Sequence, residues 1–426
     1  MYKYVVKCFA NKMCLSYNMH MGYFKVAFKG LGYQTILRVS IRIIGFVKIA
    51  LIARILGPAE LGIFGIASLI LSLLETLTDT GINVFLIQQN KNYKKYLNSA
   101  FLISIARGLI IAGVIVLSGP LIRIFFNIES TTYVLVLVSI VAILRGLVNP
   151  AIVKLEKEMF FDKELILRLF LYVVDTIFAL YFTFKYQRAE GILIGMIIGV
   201  ILEVLISWLF INPKPKIILN KKDVKFVLLR GRWVTLTGIF NYLFHNIDDI
   251  IVGKLLGIYS LGIYQLAYKL STVPIYETGE IFGRVTFPIY TKISNDRVRL
   301  KRAFKKVTLT ISLLVIPAGL ILIIFANSIV SIVLGNKWIE AVPVIKLLAV
   351  FGILRSISAS VTPLLYSIKK QAYAMNIMLL GLCSLILTII PFIKYYGLNG
   401  AALSTIIATI FTLPLIYYYL KKKIFV

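Results

Sequence analysis

Histidine and cysteine are scarce in this chain, with 2 of the first and 3 of the second among 426 residues. His20 and His245 are too few for a histidine-based metal centre. Cys8, Cys14 and Cys383 form neither a ligand spacing nor a disulfide framework. Cys383 sits inside an apolar run, where a small hydrophobe suffices. No metal site is therefore expected. Acidic residues are also few, 18 against 47 Lys and Arg, giving a net charge of +29. Charged residues make up only 15% of the chain, where a soluble domain carries about a quarter. There is no P-loop, so direct use of ATP is not expected. Residues 1–33 hold no long apolar stretch and no small-residue cleavage site, so a cleaved signal peptide is not expected, and Met19 and Met21 are alternative candidate starts.

What the chain has is apolar sequence: 59% hydrophobic residues and a mean hydropathy of +0.90. No soluble core needs this much, so the solvent around most of the chain is lipid. The basic excess lies in short loops between apolar runs, which fits membrane topology and not a nucleic-acid surface. Windows of about twenty apolar residues predict spans at 34–56, 62–89, 97–118, 132–152, 165–186 and 191–211. After a basic connector at 212–230, a second series follows at 231–256, 260–289, 305–326, 340–367, 372–393 and 399–420. The expected fold is all-α, with twelve transmembrane helices in two six-helix lobes, 34–211 and 231–420, around a central cavity. Gly81, Pro274 and Gly279 interrupt the long spans 62–89 and 260–289, where kinks or tilts are expected.

The two series are related. Residues 54–70 join the first two spans through Gly57-Pro58, and residues 254–270 repeat the pattern. Leu56-Gly57 matches Leu256-Gly257, and Leu61-Gly62-Ile63 matches Leu261-Gly262-Ile263. Six spans per half is an even number, so both halves enter the membrane in the same sense, as a parallel repeat. Lys and Arg concentrate on one side: with the N-terminus cytoplasmic, thirty fall on the inside and seven outside. That bias places both termini inside.

Ten cations remain within spans, among them Arg38, Arg42, Lys48, Arg107, Arg145, Arg168, Lys269 and Arg355, with eight acids. At about 3 kcal/mol per central charge, eighteen facing lipid would cost on the order of 50 kcal/mol. They must pair, snorkel or line a wet cavity. Depth counted from the outer turn sets Arg42 level with Glu75 and Arg38 level with Asp79, so ion pairs across the first hairpin are expected, compatible with a ligand-facing role. An equivalent cluster of Asp248 and Asp249 with Lys269 is expected in the second half, and Glu280 and Arg284 are i,i+4 partners. Arg107, Arg145 and Arg355 have no acid on their own helices. Asp175 and Glu203 are candidates to neutralise the first two. Arginine keeps its charge and presents a planar fork to phosphate oxygens, so these three are candidates for an anionic ligand, with an internal salt-bridge network as the alternative. Glu277 reads either as a buried neutral acid or as a proton or sodium site. No catalytic residue is expected.

Arg54-Ile-Leu-Gly-Pro-Ala-Glu-Leu-Gly-Ile-Phe-Gly, then Asp79-Thr-Gly-Ile-Asn, resembles the signature of the polysaccharide flippases of the multidrug/oligosaccharidyl-lipid/polysaccharide exporter superfamily. Asp248-Asp249-Ile-Ile-Val-Gly-Lys-Leu-Leu-Gly-Ile-Tyr resembles the same family's second-half signature, and the turn from Leu334 to Trp338 and the Gly397 to Ala402 opening also fit. The resemblance extends over about residues 30 to 420. It implies transport of an undecaprenyl-pyrophosphate-linked oligosaccharide across a bacterial inner membrane by alternating access. Its implied setting is surface polysaccharide assembly, in a monomer working beside other assembly proteins. It implies a central cationic cavity and coupling to H+ or Na+. From their depth and charge, Arg107, Arg145, Arg355, Arg38 and Arg42 are the candidate cavity cations and Asp248, Asp249, Asp79 and Glu277 the candidate coupling acids, with no other cofactor expected. Two readings compete. A multidrug antiporter of the same fold predicts an acidic or apolar cavity, against the arginines. A membrane polymerase or ligase needs catalytic surface outside the bilayer, where the longest loop has only about a dozen residues.

Overall fold

The computed structural model describes residues 23–88, 93–128, 132–218 and 221–424, and among these the regular structure is helical, without strands. In chain order the helices are α1 (Tyr23–Ile55), α2 (Pro58–Leu77), α3 (Ile82–Gln88), α4 (Tyr93–Phe126) and α5 (Thr132–Gly146). They continue with α6 (Lys154–Lys157), α7 (Phe161–Tyr186), α8 (Glu190–Phe210), α9 (Lys221–Lys292) and α10 (Arg297–Ile324). The last three are α11 (Ala341–Ala359), α12 (Val361–Ser367) and α13 (Gln371–Tyr419). Among the described residues, eight helices are long and apolar enough to cross a membrane, and nine if a bent pair at Thr132–Gly146 and Pro150–Lys157 forms one span. The protein is a multi-pass membrane protein.

Several helix breaks fall where the sequence supplies glycine or proline, while others turn on Asn127, Met159, Gln187 and Lys369 at positive φ. Pro58 opens α2, where its missing N–H is no loss. Gly81, at φ 59, takes the left-handed conformation that separates α2 from α3, and the second expected span is therefore two helices. The seventh and eighth expected spans form α9, 72 residues long and interrupted at Gly257. α13 joins the eleventh and twelfth in the same way, interrupted at Gly397. The only non-helical residue inside α9 is Gly257, so the backbone stays helical through Pro274 and Gly279. α5 and the turn after it bend by 66° at Leu147–Asn149, ahead of Pro150.

The chain divides into two compact units. The first holds residues 1–55, 67–124 and 128–242. The second holds residues 243–426 together with two short segments from earlier in the chain, 56–66 and 125–127. The unit boundary thus falls within α9, at 242/243, and the turn of the first hairpin belongs to the second unit.

In the first unit, small residues let helices approach closely. Gly191, Gly195 and Gly199 form one stripe of α8, laid against Thr183, Ala179 and Asp175 of α7. In lipid, where apolar side chains gain nothing by leaving solvent, such stripes are how helices find dense contact. Ile82, Phe85, Leu86, Leu97, Ala100 and Leu155 centre an apolar cluster at one end of this unit. Beside it, the buried Asn149 ties the α5 break to the end of α8. Its Nδ2 donates to the carbonyls of Ser207, Ile211 and Pro213 at 3.3, 3.3 and 3.5 Å, and its Oδ1 accepts from Ala151 N at 2.9 Å. Orphan carbonyls at a helix end are costly in an apolar surround, and the two N–H bonds of this amide are shared among three.

In the second unit, α9, α10 and α11 meet around Ile275, Ile311, Val315 and Ala349. Ser356 Oγ donates to the Ile275 carbonyl at 2.9 Å and Thr272 Oγ1 to that of Leu348 at 3.3 Å. At one end of the unit the two copies of the repeated turn meet. A Cβ on Gly62 would overlap the carbonyl oxygen of Ile258, and a Cβ on Gly262 would overlap that of Pro58. Pro58 and Ile258 hold equivalent places in the two copies, so the contact is reciprocal. Gly65 lies under the Gln265 side chain, and Lys254 Nζ donates to the Phe125 carbonyl at 2.7 Å.

Candidate functional site

The candidate residues form two polar centres, one in each unit. The first is built on a pair of Arg-Gly dipeptides. Arg107-Gly108 lies in α4 and Arg145-Gly146 ends α5. A Cβ on Gly108 would come within 2.7 Å of the Ala142 carbonyl, and one on Gly146 within 2.6 Å of that of Ser104, so the two helices cross backbone to backbone. Ser104-x3-Gly108 faces Ala142-x3-Gly146, a small-residue register on both helices. The crossing sets the two arginines at one level.

Both guanidinium groups then reach the end of α2. Arg145 Nη1 pairs with Glu75 Oε1 at 2.5 Å. Arg107 donates through Nη2 to the Glu75 backbone carbonyl at 2.6 Å and through Nε to Thr78 Oγ1 at 3.0 Å. Arg107 thereby caps a helix terminus whose last carbonyls have no partner in their own helix, where positive charge also complements the macrodipole. Arg145 is the more open of the two, its side chain 39% exposed against 26% for Glu75.

These contacts revise the pairing expected from depth alone. Glu75 goes to Arg145 and not to Arg42. One carboxylate oxygen of Asp79 turns back to accept from Gly81 N at 3.0 Å, holding the α2–α3 break and not Arg38. The Asp79 carbonyl accepts from Thr235 Oγ1. Counting from a turn gives height along a helix, whereas the partner is set by the rotation of each helix about its axis. Arg38 and Arg42 are exposed on α1. Asp175, a candidate partner for the arginines, pairs with Lys48 at 2.7 Å. Glu203 lies within electrostatic reach of Arg168 and Arg145. Arg168 pairs with Glu164 at 2.9 Å, and Gln34 Nε2 donates to the other oxygen of Glu164, also at 2.9 Å.

The second centre lies across the Gly257 break. Residues equally far on either side of a helical turn face each other, and Asp248 and Asp249 accordingly meet Tyr264 and Gln265. Tyr264 OH donates to Asp248 Oδ2 at 2.9 Å, and Gln265 Nε2 to Asp249 Oδ2 at 3.1 Å. Lys269 acts electrostatically on Asp249 and Arg355 on Asp248. The expected cluster of Asp248 and Asp249 with Lys269 thus gains three members, Tyr264, Gln265 and Arg355.

Arg355, on α11, sits among aromatic rings. Its guanidinium carbon lies 4.7 Å from the centroid of Tyr276, 5.4 Å from Phe351 and 5.5 Å from Phe244, and Nη1 donates to Tyr268 OH at 3.0 Å. Ring faces attract a desolvated cation by about 2 kcal/mol or more each in favourable cases. The cage holds the charged fork on ring faces and a hydroxyl, with Asp248 near enough to act on it electrostatically. The sequence spacing does not signal that α9 and α11 bring these rings together. Glu277 and Glu280 are helical positions of α9 whose side chains lie outside the described residues. Among the described residues no group of three or more His, Cys, Asp or Glu is placed to hold a metal ion.

Comparison with known proteins places these centres in context. The family described as "Polysaccharide biosynthesis protein" matches residues 51–343. The lipopolysaccharide biosynthesis protein WzxC of Escherichia coli K12 is 26% identical over 340 residues, which cover 79% of this chain and 69% of that protein. The teichuronic acid biosynthesis protein TuaB of Bacillus subtilis 168 is 24% identical over 333 residues, covering 78% and 69%. Among solved structures, the lipid II flippase MurJ in an inward closed conformation superposes with a TM-score of 0.72 at 19% identity, covering 91% of this chain and 87% of that one. The last likeness concerns the fold, which is that of two-lobe all-α transporters.

Proposed function

The chain belongs to the polysaccharide biosynthesis protein family, and from that premise we propose that it is a flippase that moves a lipid-linked oligosaccharide repeat unit across the bacterial cytoplasmic membrane. The lipid carrier would be an undecaprenyl pyrophosphate, and the product would feed surface polysaccharide assembly. The observation that carries this reading is the Arg145–Glu75 pair beside Arg107. A guanidinium 39% exposed, held at 2.5 Å by one half-buried carboxylate, is charged yet open to exchange. A pyrophosphate offers more oxygens than Glu75 does and competes for the same fork. Arg355 supplies a second fixed charge in the other unit, and exposed Arg38 and Arg42 extend the basic surface of α1.

The transport cycle on this reading is alternating access, with twelve crossings, both termini in the cytoplasm, and no catalytic step. Twelve results if α9 and α13 each cross twice and the arginine-bearing α1 crosses once, added to the bent pair and the other apolar helices. Asp248 and Asp249 are the proposed coupling carboxylates for H+ or Na+, since two adjacent acids beside Lys269 and Arg355 can change charge together with cation binding. The working unit is taken as a monomer beside other assembly proteins.

The test is a strain lacking this gene, scored for surface polysaccharide and complemented with Arg107→Ala, Arg145→Ala or Arg355→Ala. Loss of polysaccharide with normal protein levels is expected for Arg145→Ala and Arg355→Ala. Full function in all three variants would overturn the arginine site. Uptake into vesicles with imposed proton or sodium gradients tests the coupling, and indifference to both removes it.

A further inference from the structure

Three segments far apart in the chain converge at one end of the second unit, and all three are basic. The first runs from the end of α9 into α10 and carries Lys292, Arg297, Arg299, Lys301, Arg302, Lys305 and Lys306, with Asp296 as its only acid. The second is Lys369-Lys370, ahead of α13, and the third includes Lys421-Lys422, just beyond it. One apolar cluster gathers them: Tyr290, Leu300, Phe304, Leu364, Ile416 and Ile424 are buried together, with Ile368, Tyr373 and Leu420 packed on them. Leu300 and Phe304 turn inward from α10 while the basic residues around them are exposed, as are Lys369, Lys370, Lys421 and Lys422.

A ring of tyrosines lies among these charges. Tyr373 stacks on Tyr419 with centroids 4.3 Å apart, and Asn376 Nδ2 donates to Tyr419 OH at 3.1 Å. Lys370, Lys421 and Lys422 lie over the rings of Tyr373, Tyr417 and Tyr418 at 5.5, 5.5 and 5.7 Å. Tyrosine and lysine in this mixture belong at the headgroup level of a bilayer, one end apolar and the other wet. Membrane orientation alone needs basic residues in inner loops, but it does not need them gathered on one apolar cluster. From Arg297 to Lys306 is about 14 Å along a helix, beyond the Debye length of about 8 Å at physiological salt. Successive cations in this run are only one to three positions apart, however, so each lies within the field of its neighbours.

We propose that this surface is a binding site for anionic phospholipid headgroups, phosphatidylglycerol and cardiolipin, of the leaflet it faces. The guanidinium and ammonium groups hold the phosphates, the tyrosine rings sit at the ester level, and the cluster under Leu300 and Phe304 fixes the spacing. The site lies within the second unit and does not depend on what the protein transports. On the side that the Lys and Arg bias assigns to the cytoplasm, it anchors that end of the second unit to the inner leaflet.

The full-length protein in detergent, mixed with equal amounts of phosphatidylglycerol, cardiolipin and phosphatidylcholine, is examined by native mass spectrometry for retained lipid. The expected result is an excess of about tenfold for the anionic lipids. The variant Arg302→Gln/Lys305→Gln/Lys306→Gln/Lys370→Gln/Lys421→Gln/Lys422→Gln is expected to bring that preference close to parity. The exposed set Lys185→Gln/Arg188→Gln/Lys394→Gln, elsewhere on the chain, is expected to leave it unchanged. Matching gel-filtration profiles and melting temperatures establish that all three proteins are folded. Equal retention of the three lipids by the unaltered protein overturns the proposal, as does an unchanged preference in the six-site variant. Displacement of the lipid by millimolar inorganic pyrophosphate assigns the surface to a soluble phosphate and overturns it too. Capture of an acidic protein without any lipid preference is likewise a refutation.

Discussion

Gly108 and Gly146 touch backbone to backbone, and the arginine preceding each one is thereby brought to the same end of α2. A close helix crossing is thus what converts two arginines 38 positions apart into one polar centre. The chemistry of the centre depends on two residues that have no side chain.

Enlarging either glycine is expected to separate α4 from α5. Gly146→Leu would force a side chain into the Ser104 carbonyl, and overpacking of this kind costs about 1–3 kcal/mol. Its melting temperature in detergent should fall by several degrees and polysaccharide export should fail. Gly146→Ala should show the same changes in smaller measure. A Leu variant with unaltered melting temperature and export would show that the crossing is not needed.

Glu75 and Arg145 are expected to behave as a coupled pair. Each side chain is about a third exposed, so the coupling in a double-mutant cycle should be modest, about 1 kcal/mol. Arg145→Ala should abolish export while Arg145→Lys restores part of it, because lysine keeps the charge and loses the fork. Glu75→Gln should leave export nearer to normal than Arg145→Ala does, since it frees the guanidinium without removing it. Equal loss in both would place the pair's role in folding alone.

The Arg355 cage should discriminate between two cations. Arg355→Lys keeps a charge but cannot stack a planar group on Tyr276, Phe244 and Phe351 while bonding Tyr268. A loss of about 1–2 kcal/mol in stability is expected, with export reduced. Tyr268→Phe, which removes only the hydroxyl acceptor of the Arg355 bond, should cost about 1 kcal/mol. Thermal unfolding of purified protein measures both.

Asn149 offers a sharper contrast between near-isosteric side chains. Asn149→Ala leaves three carbonyls without their shared donor, at about 1–3 kcal/mol. Asn149→Asp should be worse, because a carboxylate oxygen then faces the carbonyl oxygens of Ser207, Ile211 and Pro213. If Asp is tolerated better than Ala by melting temperature, the amide does not hold the break as described.

Much of the architecture was legible in the chain because breaks and repeats are local. Gly57-Pro58, Gly81 and the repeated turn at Gly257 announce themselves, and helix ends follow from them. The pairing of charges was legible only in part. That of Asp248 and Asp249 with Lys269 was legible in outline, since Lys269 acts on Asp249, but the side chains that hydrogen-bond the two acids are Tyr264 and Gln265, one turn nearer the break. That of Arg145 with Glu75 was not, because their helices are not consecutive and depth says nothing about rotation. The signal that could have supplied it was the small-residue register of Ser104 and Gly108 against Ala142 and Gly146. The aromatic cage of Arg355 had no such signal. Tyr268 and Tyr276 share a face of α9 and Phe351 precedes Arg355 by one turn of α11, but nothing local says that these two faces meet.

The reciprocal contact of Gly62 with Ile258 and Gly262 with Pro58 bears on the history of the chain. After a duplication, two copies of a sequence ordinarily drift as separate lineages. Here each copy of the turn is part of the surface against which the other must fit. A substitution on one side alters the surroundings of its counterpart, so the two cannot change independently. This gives a mechanical reason for Leu-Gly-Ile at 61–63 and again at 261–263. The repeat remains visible at the place where the copies touch.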